Sequence, residues 1–140
     1  MTGTWQFWAG LSAIFAALTA IFAKIGIQDI GSDFATFIRT IVILIAFTGI
    51  LWGLGEFQPL SSVTPKTWLF LVLSGLATGA SWLCYFRALQ LGQASQVAPI
   101  DKLSVVLVAI FGVLVLGERL SPQHWLGVAL VGAGAILVAI

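Results

Sequence analysis

Residues 34–54 read FATFIRTIVILIAFTGILWGL, an apolar run that carries one charge, Arg39. At about 1.5 Å of rise per residue, ~20 helical residues cross a ~30 Å hydrocarbon core, so this stretch is long enough to span a bilayer. Working outward, segments of the same kind cover residues 5–23, 68–89, 97–116 and 125–140, and the joins leave room for little more than turns. The middle three span easily, and the outer two just reach. The chain reads as one all-α membrane domain over residues 1–140, a bundle of five transmembrane helices.

Composition points the same way. Hydrophobic residues make up 60% of the chain and charged ones 8%, against roughly 25% charged in a soluble domain, so this inventory cannot build a water-facing surface. Six Lys and Arg with a net charge of +1 leave no basic patch for nucleic acid and no polybasic run for lipid head groups. One cysteine, Cys84, excludes an internal disulfide, and with the single His124 it cannot complete a zinc site or a haem attachment motif. Nothing resembles a nucleophile with its base, a phosphate loop or a metal cluster, so neither enzyme activity nor a cofactor is expected. Residues 1–4 carry no Lys or Arg, and the first apolar run is too long for an ordinary signal-peptide core. Residues 5–23 are therefore expected as a retained helix.

Turn chemistry supports the boundaries independently. Ser32 or Asp33 can cap the second helix, Thr64 before Pro65 can open the third, and Ser121 before Pro122 can open the fifth. Gly55, Gly92 and Gly117 follow the second, third and fourth helices, where a left-handed residue commonly ends a helix. The Glu118–Arg119 pair sits in the same tight turn as Gly117, Ser121 and Pro122, and reads as a fold-fixing pair that meets locally or with a neighbouring loop.

An odd number of spans puts the termini on opposite faces. Trp5, Trp8, Trp52, Trp68 and Trp125 then fall at the face of the amino terminus, as anchoring indoles should, and only Trp82 lies deep. The other face holds Lys24, Arg39, Arg87 and Lys102 against Lys66 and Arg119, which by the positive-inside rule places the carboxyl terminus inside. Discounting Arg39 and Lys102, which fall within spans, the faces balance. Such a chain can insert in both orientations.

Asp101–Lys102 is the costly pair, because it falls in the first turns of the fourth span just after Ala98–Pro99. A central charge costs roughly 2.5–3.5 kcal/mol on insertion scales. Neighbouring helix positions differ by about 100°, so Asp101 and Lys102 are not expected on one face. Arg39 and Arg87 are offered as partners for Asp101, or as snorkelling side chains. Pro99 removes a backbone donor, so residues 93–100 are expected to begin irregularly, next to a cavity or buried in protein. Trp82 and Tyr85, three apart on one helix face, are candidate cavity walls. Spacings of GxxxG type at Gly49/Gly53 and Gly75/Gly79, and the strip Gly127, Ala129, Gly132, Ala133 and Gly134, are read as helix-packing surfaces.

The second half carries a recognisable pattern. Tyr85–Phe86–Arg87–Ala88–Leu89, then Gly92, Ala94, Ala98–Pro99–Ile100, then Leu116–Gly117–Glu118–Arg119–Leu120–Ser121, then Gly127 and Gly132, resemble the EamA-type repeat of the drug/metabolite transporter superfamily. The stretch Asp101–Lys102–Leu103–Ser104 departs from the apolar residues usual after the family's proline, and is similar to short single-repeat members. Most members of that family resemble two such repeats in one chain, ten helices in an inverted arrangement around a substrate path. The resemblance implies an integral protein of a prokaryotic cytoplasmic membrane, working as an antiparallel homodimer on a small-molecule substrate. Asp101 would be its proton- or cation-responsive carboxylate, with Lys102, Arg39 and Arg87 as charge partners or anion contacts and Trp82 and Tyr85 as cavity walls. The alternative is a non-transporting membrane subunit that packs against a larger partner. A third expectation, a piece of a longer permease, is weakened by Met1 and kept open by the helix running to Ile140.

Overall fold

The computed structural model describes residues 4–140, so the sequence argument against a leader, drawn from residues 1–4, falls mostly outside the described residues. The described residues form α1 (Trp5–Gly26), α2 (Ser32–Leu54), a 3-10 turn (Leu60–Ser62), α3 (Pro65–Leu91), α4 (Ala94–Asp101), α5 (Ser104–Leu116) and α6 (Pro122–Ala139), with no strand among them. Among the described residues five segments are long and apolar enough to cross a membrane, the fourth being Ala94–Leu116 with α4 and α5 in sequence. The helices outrun the apolar windows at their polar ends. Backbone hydrogen bonding carries α1 past Lys24 to Gly26 and α3 on to Leu91.

Several ends close as local chemistry dictates. Gly55 and Gly117 take left-handed φ of 66° and 69°, a conformation that costs a side chain heavily but glycine little. At Gly55 the bonds Glu56 N–H to Leu51 and Gly55 N–H to Trp52, at 3.1 and 3.2 Å, complete a Schellman turn. Ser121 accepts the N–H of His124 at 3.3 Å ahead of Pro122 at the first helical position. Thr64 does the same for Thr67 at 3.2 Å.

Two ends depart from expectation. Gly31, in extended backbone, precedes α2 without a side-chain cap, because the helix already begins at Ser32 and leaves a glycine at the cap position; the Asp33 carboxylate turns instead to Arg87. Gly92 is not left-handed; instead the ammonium of Lys24 donates to the Leu89 carbonyl at 2.5 Å and caps the last turn of α3.

The chain divides into two compact units, one running up to Phe22 and over Leu91–Ile140, the other over Ala23–Gln90. In the first, α6 packs on α4 and α5, with Gly112, Gly132 and Ala135 buried. A Cβ at Gly132 would stand 3.1 Å from Val106, so glycine sets that approach. Glu118 folds back over Gly112, its Oε2 2.6 Å from where a Cβ would stand. Its N–H donates to the Gly112 carbonyl at 3.0 Å. No ion pair of Glu118 with Arg119 forms among the described residues, because the glycine opens a nearer seat for the carboxylate.

In the second unit the buried residues Ala23, Ile27, Ser32, Ala35, Thr36, Phe86 and Leu89 collect where α1 closes, α2 opens and α3 closes. Away from that end Leu44, Trp52 and Leu76 are exposed, and a Cβ at Gly49, Gly53, Gly75 or Gly79 would meet nothing within 4 Å. Packing within the protomer therefore accounts for Gly132 but not for either GxxxG spacing. Threonine hydroxyls on these rods bond back to the carbonyl four residues earlier, as Thr48 does to Leu44 at 2.8 Å and Thr78 to Ser74 at 2.9 Å. The polar group is thereby satisfied without water.

Candidate functional site

The polar groups of the second unit gather at its packed end. Gln90, one residue before the end of α3, donates to the Ile27 and Ile30 carbonyls at 3.3 and 2.8 Å, tying the α1–α2 turn to α3. Lys24 ties α1 to α3 through Leu89. Beside them Lys24, Ile27, Gln28 and Gln90 line a cavity of about 320 Å³. Arg87 reaches Asp33 on α2 with one guanidinium nitrogen, 3.0 and 3.2 Å from the two carboxylate oxygens. Both side chains are more than half exposed, which limits the pair to about 0–1 kcal/mol.

Arg39 has different company. Seven residues into α2, about 10 Å along the helix from Ser32, it is half-buried. Its Cζ lies 4.2 Å from the centroid of the Trp82 ring and 5.3 Å from that of Phe86. Positions 82 and 86 are one helical turn apart and share a face of α3, so two rings meet one cation. Such contacts are worth about 0.5–2 kcal/mol depending on desolvation. Tyr85, also half-buried, lies between them in sequence.

In the first unit the fourth span is interrupted at Lys102–Leu103. Pro99 lies inside α4 rather than at an irregular start, and residues 94–101 are helical. The irregularity falls after it: the Lys102 N–H is shared between the Ala98 and Pro99 carbonyls at 3.3 and 3.0 Å, and Leu103 bonds Ile100 at 2.9 Å. The chain thus tightens from i+4 to i+3 bonding before α5 begins. The backbone stays right-handed through this turn, and the long Lys102 side chain reaches its neighbour, Nζ meeting Asp101 Oδ2 at 3.3 Å.

Two of the acids find a cation inside their own unit, Asp33 with Arg87 and Asp101 with Lys102, where the sequence offered Arg39 or Arg87 to Asp101. Of the residues singled out from sequence, Arg39 and Trp82 come together, as do Asp101 and Lys102. Lys24, Gln90, Asp33 and Phe86 were missed. Phe86 carried a signal, the four-residue spacing from Trp82; the others are joined across tens of residues and leave no local trace.

Comparison with known proteins places residues 3–140 in a match to the EamA-like transporter family. An uncharacterized transporter encoded in the cobO 3′ region of Sinorhizobium sp. is 63% identical over 140 residues, covering 100% of this chain and 99% of that one. A probable 4-amino-4-deoxy-L-arabinose-phosphoundecaprenol flippase subunit, ArnE, of Pseudomonas savastanoi pv. phaseolicola is 37% identical over 68 residues, 48% of this chain and 57% of its own. An uncharacterized transporter, PA0485, of Pseudomonas aeruginosa is 31% identical over 70 residues, 50% of this chain and 24% of its own. No solved structure matches.

Proposed function

Because the chain belongs to the EamA-like transporter family and is an integral membrane transporter, we propose that it is a secondary transporter that exports a small polar or amphipathic metabolite or drug. It would have no ATP site and no catalytic step of its own, and would sit in a prokaryotic cytoplasmic membrane. The observation that carries this reading is the charged break in an otherwise apolar span at Asp101–Lys102. Interrupted spans hold coupling ions and substrates in inverted-repeat transporters, where polar backbone is tolerated because it lines a path.

In this reading Asp101 is the carboxylate that responds to a proton or cation, released from Lys102 in part of the cycle. Trp82 and Tyr85 wall the substrate path, with Arg39 and Arg87 as the other charged groups. One repeat of five spans becomes two inverted repeats when a second copy inserts upside down, and the path lies between the protomers. The nearly balanced cations of the two faces support that arrangement.

Purified protein in liposomes, loaded with members of a metabolite panel chosen by thermal shift, tests the reading. Efflux is expected to follow an imposed pH gradient, and Asp101→Asn to abolish or uncouple it while leaving insertion intact. Wild-type efflux in that variant would remove the coupling role. A second reading, a non-transporting subunit, is favoured by the word subunit in the name of the ArnE relative; a fixed heterologous partner on purification, with no flux from the chain alone, would support it.

A further inference from the structure

The cations of the apolar spans are not equally engaged. Arg87 has the Asp33 carboxylate and Lys102 has Asp101, while Lys24 has the Leu89 carbonyl. Arg39 has two aromatic rings and, among the described residues, neither a carboxylate nor a carbonyl within hydrogen-bond distance. Ring contacts compensate charge without supplying an acceptor. A guanidinium keeps its charge at any physiological pH and presents five N–H donors in a planar fork that matches a carboxylate or a phosphate two bonds at a time. Leaving that fork unused about 10 Å into a span is expensive. Snorkelling would relieve the cost by carrying the group to the head-group layer, but Trp82 and Phe86 hold it against α3.

From this we infer that Arg39 reads an anionic group on the transported molecule, so that the substrate class is small carboxylates or phosphate esters rather than neutral or cationic compounds. The assignment rests on the transporter reading and deepens it. The rings serve as a seat: they hold the cation in the empty protein and leave its N–H edge to the ligand, and Arg39 exchanges no partner when the anion arrives. A site that must release its cargo gains from a compensation of this modest size, where a carboxylate at Arg39 would compete with the ligand directly.

The test uses the full chain in nanodiscs of phosphatidylcholine and follows thermal unfolding in sodium phosphate or sodium acetate against sodium chloride of equal ionic strength. At a tenfold excess over Kd, either anion is expected to raise the midpoint by about 5 °C. Arg39→Gln should abolish the shift, Arg39→Lys should reduce it, and Lys66→Gln, far along α3, should keep it. No shift with either anion in the wild type overturns the inference, as does an undiminished shift in Arg39→Gln; the wild-type result decides if that variant fails to fold. A parallel series with phosphatidic acid in the disc separates the sources. Stabilisation by anionic lipid alone gives Arg39 to a head group and overturns its assignment to substrate. Efflux of neutral compounds from wild-type liposomes, without any anion shift, would sink this inference and leave the transporter reading standing.

Discussion

The closing end of α3 and its middle are built on opposite principles. Its closing end buries Phe86 and Leu89, and Lys24, Gln90 and the Asp33–Arg87 pair fasten it to α1, α2 and the turn between them. The stretch around Gly75 and Gly79 touches nothing closely and leaves Leu71, Leu73 and Leu76 exposed. In a bilayer the hydrophobic effect does not draw helices together, since lipid tails are as apolar as leucine. Association has to come from close packing and from polar groups that must find partners. The fastened end has both, while the open stretch has neither within one protomer and keeps a surface of small residues for lipid or another helix.

Substitutions can break that contrast. Leu89, fully buried, matters most: Leu89→Ala is expected to cost about 2 kcal/mol, the low end of the range for buried leucines, because lipid replaces water in the reference state. Unfolding of the detergent-solubilised protein by sodium dodecyl sulfate measures it. A cost below that of Leu76→Ala would deny any difference between the two regions. Lys24→Met removes the cap on the Leu89 carbonyl and should cost about 1.5 kcal/mol in the same titration, the worth of a hydrogen bond to a charged group.

A glycine pair sharpens the comparison further. Gly75→Ala is expected to stabilise by up to about 1 kcal/mol, because helix propensity is gained and no neighbour is met. Gly132→Ala forfeits that gain, its Cβ standing 3.1 Å from Val106. Equal effects would mean that α6 does not approach α5 as described. The smallest change is expected at the exposed pair: Arg87→Gln should shift stability by less than about 0.5 kcal/mol, with larger losses pointing to a role beyond the pair.

What the sequence made legible was chemistry within one or two turns. Span number follows from apolar length. Gly55, Gly117 and Ser121–Pro122 act through their own backbone or side chains, and all behave as their types require. Expectations failed where a distant residue intervened. Lys24 closes α3 in place of Gly92, and Asp33, one of the two caps offered for α2, pairs with Arg87. At Pro99 the type of event was readable but not its place. Proline withholds a donor from Ser95, yet the tightening comes after Asp101, where i+3 bonds replace i+4 bonds. The adjacency of Asp101 and Lys102 was discounted because they point to different faces, yet a long lysine side chain reaches its neighbour across that angle. Of the candidate site, Trp82 was found from its depth, but that it seats Arg39 required the packing of α2 against α3.

In the proposed reading, the open stretch becomes half of a transport path by meeting a second copy that lies upside down. In a Cys84→Ser background with one cysteine added after Ile140, a membrane-impermeant maleimide applied to intact cells should label roughly half of the molecules, and permeabilisation should expose the rest, as balanced insertion requires. Labelling of all molecules from one side only would contradict the antiparallel pair.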